Sequence, residues 1–156
     1  MTDAETILRA AQSILVVDWP TKELPETLVR AGYAVHVKSG PAPDDYVEYT
    51  VQDDGSIARL RVARPQRVDI VHVYRPIEEL AGFVGLALEL GATTVWILSG
   101  FAADGSRAPA GCWLPPEASV AARQLVEAAG LVYLDHPPIA EAVRVSGGLR
   151  ASAAPG

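Results

Sequence analysis

Two periods alternate along this chain, one near 3.6 and one near 2. The opening "TDAETILRAAQS" sets Ile7, Leu8 and Ala11 at helical spacing behind the capping candidates Thr2 and Asp3, which predicts a helix leading into a first strand at 14–17. A short helix is predicted from Pro25 to Ala31, with Gly32 as its stop, and "YAVHV" reads as a second strand. In "YVEYTVQDDGSIARLRV" the apolar positions alternate on either side of Asp54 and Gly55, the signature of a β-hairpin. "VDIVHVY" at 68–74 and "TTVWIL" at 93–98 are nearly continuous apolar runs, as strands covered on both faces must be. Helices are expected at 77–90 and 116–129, ended by Gly91 and Gly130, then a strand "LVYL" and a closing helix at 139–144. The end, "ASAAPG", has nothing to bury and is expected to form a mobile tail at 151–156 behind a single domain at 1–150.

Strands separated by helices of this length imply parallel crossovers, hence an α/β fold with a doubly wound, mostly parallel sheet and an added β-hairpin. In such sheets ligands bind outside the carboxyl ends of the strands, where the loops diverge. That rule selects residues 18–24, 38–45, 75–77, 99–116 and 135–138 before any chemistry is considered.

Composition excludes several classes. The chain has 156 residues, of which 49% are hydrophobic and 21% charged, as in an ordinary globular domain. A net charge of −6 with no basic run argues against nucleic acid as a partner, since backbone affinity comes from clustered Lys and Arg. No apolar stretch is long enough to span a membrane. One cysteine and no secretory leader pattern make the cytoplasm the expected compartment. Three histidines and Cys112, scattered along the chain, show no metal-ligand spacing.

"ETILRAAQSILVV", "AGYAVHV", "VDIVHVYRPIEELAGFVGLALELGATTVWILSG" and "AAGLVYLDHPP" together resemble the stand-alone CoA-binding domain proteins, relatives of the nucleotide-binding domain in the succinyl-CoA synthetase α-subunit. The resemblance spans about 5–140 and implies a Rossmann-like fold and CoA as the possible cofactor. The departures bear on that cofactor. The family's longer first loop begins Gly-x-Ser, whereas this chain has Asp18, Trp19 and Pro20 there; Ser39 and Gly40 replace an Asn-Pro, and "DHPP" replaces Asp-Arg-Cys-Pro. The hairpin around Asp54 and Gly55 and the segment "FAADGSRAPAGCWLPP" look added. The frame is that of a CoA binder from which the phosphate-cradling turn is gone, so CoA binding is expected to be weak.

The candidate ligand-binding residues are Asp18, Trp19, Ser39, Arg75, Ser99 and Trp113. Arg75, at the carboxyl end of the strand at 68–74, can clamp a phosphate or carboxylate, or can pair with Glu78 or Glu79. Trp19 and Trp113, with Phe101, would wall an apolar pocket. The candidate catalytic residues are His136 and His72. His136 can act as acid or base in its loop or merely cap the last helix, and His72 shares a strand face with Ile70 and so reads first as a packed core residue. Cys112 reads as a small apolar group sooner than as a nucleophile. Two functions follow: a module that binds a small anionic metabolite, or a divergent enzyme performing isomerase, cyclase or lyase chemistry with Arg75 and His136. The surplus of apolar residues on 77–90 predicts a homodimer.

Overall fold

The computed structural model describes residues 3–17, 22–40, 42, 44–74, 77–97, 116–135 and 137–145. Seven strands form one sheet: β1 (Ser13–Val17), β2 (Ala34–Lys38), β3 (Tyr46–Val51), β4 (Ile57–Val62), β5 (Ile70–Val73), β6 (Thr94–Ile97) and β7 (Val132–Leu134). Five helices accompany them: α1 (Asp3–Ala10), α2 (Glu23–Arg30), α3 (Leu80–Glu89), entered through a 3-10 turn at Ile77–Glu79, α4 (Pro116–Ala128) and α5 (Ile139–Val145). The strand order is β4-β3-β2-β1-β5-β6-β7. All neighbours are parallel except β2 with β3 and β3 with β4. The fold is a Rossmann-like α/β sheet with an antiparallel hairpin at one edge.

The chain leaves β1 toward β2 and later returns to β5 on the other side of β1, which sets the topological switch point between β1 and β5. The return from β4 has no helix. Residues 63–69 run over one sheet face, where Arg64 pairs with Glu89 of α3 at 3.3 Å and the Val68 N–H donates to the Leu90 carbonyl at 3.1 Å.

Alternating residues divide the core in two. Leu15, Val17, Val71, Val73, Val95 and Ile97 face α3 and α4. Ile14, Val16, Val35, Ile70, Trp96 and Leu134 face α1, α2 and α5. Every residue of β5 and β6 is buried, because helices cover both faces and leave no position for a polar side chain in water. At the amino-terminal end, the Asp69 carboxylate accepts the backbone N–H groups of Gln12 and Ser13 at 2.7 and 3.1 Å and so ties β1 to β5.

Local signals terminate elements where the sequence places them. Helix α2 stops before Gly32, whose φ of 102° is a conformation that side chains with a Cβ resist. The hairpin turns over Asp53–Gly55: the Gly55 N–H donates to the Gln52 carbonyl at 2.9 Å, Gly55 takes φ 86°, and Asp54 accepts the Ser56 N–H at 2.9 Å. Helix α3 is less exposed than its composition suggests. Leu80, Val84 and Ala87 are buried, and Phe83 and Leu86 pack partly against the same core, leaving Leu88 at 51% exposure.

Candidate functional site

Three strand ends at the switch-point side carry described residues with site chemistry. At the end of β2, Lys38 projects to the α3 face, where its ammonium donates to the Gly40 carbonyl at 2.9 Å and stands 5.1 Å above the Tyr46 ring. Ser39 follows, its N–H and hydroxyl both donating to the Asp45 carbonyl, at 2.8 and 3.2 Å. The Asp45 carboxylate accepts the Ala42 N–H at 3.0 Å and meets Arg61 of β4 at 3.4 Å. Asp45 thereby links Ser39 and Ala42 to Arg61 of the hairpin.

At the end of β7 the Tyr133 hydroxyl donates to Asp135 at 2.7 Å, and the Trp96 indole N–H donates to the Pro137 carbonyl at 3.0 Å. Trp96 itself is fully buried, so it holds the Pro137 carbonyl from inside the core. At the switch point, His72 stands in register with Val16 of β1 and Trp96 of β6, one residue below the ends of β1 and β5. It has no exposed surface, and burial pushes the ring down to about 3. The imidazole is therefore neutral at physiological pH.

Of the residues singled out from sequence, Ser39 and His72 are therefore placed, and they lie in different surroundings. Asp18, Trp19, Arg75, Ser99, Trp113 and His136 lie outside the described residues, as do Pro20, Phe101, Cys112 and the 151–156 tail.

Ser39 borders a cavity of about 320 Å³, lined also by Val37, Val47, Tyr49, Arg59 and Arg61. Its walls combine an apolar floor from β2 and β3 with two guanidinium groups from β4. Sequence reasoning missed both arginines, although the alternation that revealed the hairpin puts Arg59 and Arg61 on one face and Leu60 on the other.

On the opposite face His36 of β2 meets Glu48 of β3 at 3.4 Å. Burial lowers its pKa and the Glu48 carboxylate partly offsets that shift. Among the described residues no group of three His, Cys, Asp or Glu side chains converges as a metal ion requires, and no helix is long and apolar enough to cross a membrane.

A family model described as "CoA binding domain" matches residues 18–141. No curated protein matches the sequence. Among solved structures, the chain is similar to the crystal structure of Prb, the PH1109 protein redesigned for binding, with a TM-score of 0.62 and 16% identity over 95% of this chain and 94% of that one. It is also similar to the structure of cell-free ID.343 from Thermus thermophilus, with a TM-score of 0.57 and 19% identity over 94% and 99% of the two chains. These two likenesses are of fold.

Proposed function

Because the chain belongs to the CoA-binding domain family, we propose that it is a small-molecule-binding protein that keeps the family's frame but holds CoA weakly. One observation carries this reading: β1 ends at Val17, beside the switch point, and the sequence continues Asp18-Trp19-Pro20 with no glycine. A pyrophosphate needs backbone N–H donors that approach closely at this turn. Pro20 has no N–H, and the Asp18 carboxylate repels phosphate. Each missing charge-assisted hydrogen bond costs about 1.5–3 kcal/mol, so losing two lowers affinity by a factor of at least about a hundred.

The ligand expected in place of CoA is a small anionic metabolite at the carboxyl ends of the strands, with Arg75, Ser39 and Ser99 as its polar contacts and Trp19 and Trp113 as its apolar walls. The buried, neutral His72 favours binding over acid–base chemistry, because a proton-transfer group must reach its substrate at hydrogen-bond distance. Calorimetric titration with CoA is expected to give a dissociation constant weaker than about 100 μM. A low-micromolar constant would overturn the reading and restore ordinary CoA binding.

The same samples test assembly. We propose a homodimer through the outer side of α3, where Ala81, Gly82, Gly85 and Leu88 expose a surface that is small and apolar. Light scattering that returns the mass of one chain, 16.5 kDa, would exclude it.

A further inference from the structure

The β4 strand reverses the arrangement expected of a sheet edge packed beside a helix. On the face that carries α1, α2 and α5, where β1, β5 and β6 place Val16, Ile70 and Trp96, β4 places Arg59 and Arg61. Its apolar Leu60 points to the other face and is 57% exposed. The two arginines are two residues apart on one strand face, so their stems emerge about 7 Å apart, a separation that one carboxylate or phosphate group can bridge. Asp45 occupies one side of the Arg61 guanidinium, whereas Arg59 has no ion-pair partner among the described residues. Beside them lies the cavity floored by Val37, Val47 and Tyr49, with Ser39 at its rim. Two adjacent cations repel each other, and an anion between them relieves that repulsion.

We propose that this cavity is an anion site, in which Arg59 and Arg61 hold the carboxylate or phosphate of a small molecule whose apolar part rests on Val37, Val47 and Tyr49. The site belongs to the hairpin rather than to the turn after β1. It supplies from side chains the positive charge that the Asp18-Trp19-Pro20 sequence does not offer through its backbone. The inference rests on the reading of a small anionic ligand only in that Ser39 borders both regions. Charged side chains on an edge strand also discourage pairing with another chain. That role needs neither a cavity beside the arginines nor an apolar floor beneath it.

The test uses the whole protein, labelled for NMR, with phenyl phosphate, benzoate and uncharged benzyl alcohol as probes. Phenyl phosphate or benzoate is expected to give saturable shifts at the Arg59 and Arg61 side-chain N–H groups and the Val37 and Val47 methyls, weakening as salt is raised. Benzyl alcohol is expected to give none. Binding by both anions assigns the site to anions generally, and binding by phenyl phosphate alone assigns it to phosphomonoesters. Arg59→Gln should weaken binding by at least about fivefold and Arg59→Gln with Arg61→Gln by more, in proteins whose spectra remain dispersed. Absence of saturable shifts at these residues, or unchanged affinity in the double variant, overturns the proposal. So does a double variant that only self-associates while the unaltered protein binds neither anion, because the arginines would then be edge guards. The CoA titration is independent, since tight CoA binding with no anion at the hairpin, or the reverse, separates the failure of one reading from that of the other.

Discussion

The two halves of this sheet obey different rules. In the parallel half, β5 and β6 are buried at every position, and the one titratable side chain they hold, His72, is kept neutral. In the hairpin half, β4 has no fully buried residue and carries two arginines on the face that elsewhere is core. The difference comes from coverage: α3 and α4 close one face of the parallel strands and α1, α2 and α5 the other, whereas the edge strand has water along one side. Where both faces are closed, a charge must be neutralised or paired. Where one side is open, charges persist and remain available to a ligand. The parallel half therefore holds the frame, and chemistry is left to the strand ends and the hairpin.

Substitutions can break this division. The largest effect is expected at Trp96, which is fully buried and donates to the Pro137 carbonyl. Trp96→Ala should cost about 3–5 kcal/mol in urea denaturation. Trp96→Phe keeps most of the packing and should mainly shift the resonances of Pro137, whose carbonyl the indole binds. Equal stability of the alanine variant and the unaltered protein would refute the assignment of this half as the frame.

A smaller effect is expected from acid. Because burial holds His72 near 3, far below its ordinary 6.5, the unfolded chain takes up a proton that the native chain refuses. A depressed histidine pKa leaves stability intact above the unfolded value and erodes it as pH falls from there toward the folded value. Between pH 7 and 5 this group should remove about 2 kcal/mol. His36, shifted in the same direction, adds to the loss. Urea midpoints at the two pH values should differ less in His72→Leu, and an identical difference would show that His72 is not the source. The smallest effect is expected in the hairpin. Leu60→Lys, at a 57% exposed position, should change stability by no more than about 0.5 kcal/mol, and a larger loss would show that the hairpin shares the core's role.

The element order and fold class were legible because each element carries its own period and its own stop. Gly32, Gly91 and Gly130 close helices with positive φ, and the Asp54-Gly55 pair turns the hairpin. Trp96 was legible as core from its place within an apolar strand, and His72 first as a packed residue from the face it shares with Ile70. The Arg59–Arg61 cavity was not legible as a site. The alternation shows that the two side chains share a face, but only the pairing of β4 with β3, and of β3 with β2, sets them beside Val47, Tyr49 and Val37. The hydrogen bond from Trp96 to the Pro137 carbonyl was equally hidden, since its partners are separated by 41 positions.

The sequence by itself determined the local structure, the alternation of strands and helices, and the absence of glycine from the turn after the first strand, because these depend on neighbouring residues and on the conformations each side chain allows. Tertiary structure alone decided which face each strand presents to which helices, how deeply His72 is sealed, and which polar groups meet across the hairpin. Those outcomes depend on contacts between residues far apart in the chain, whose energies no local pattern records.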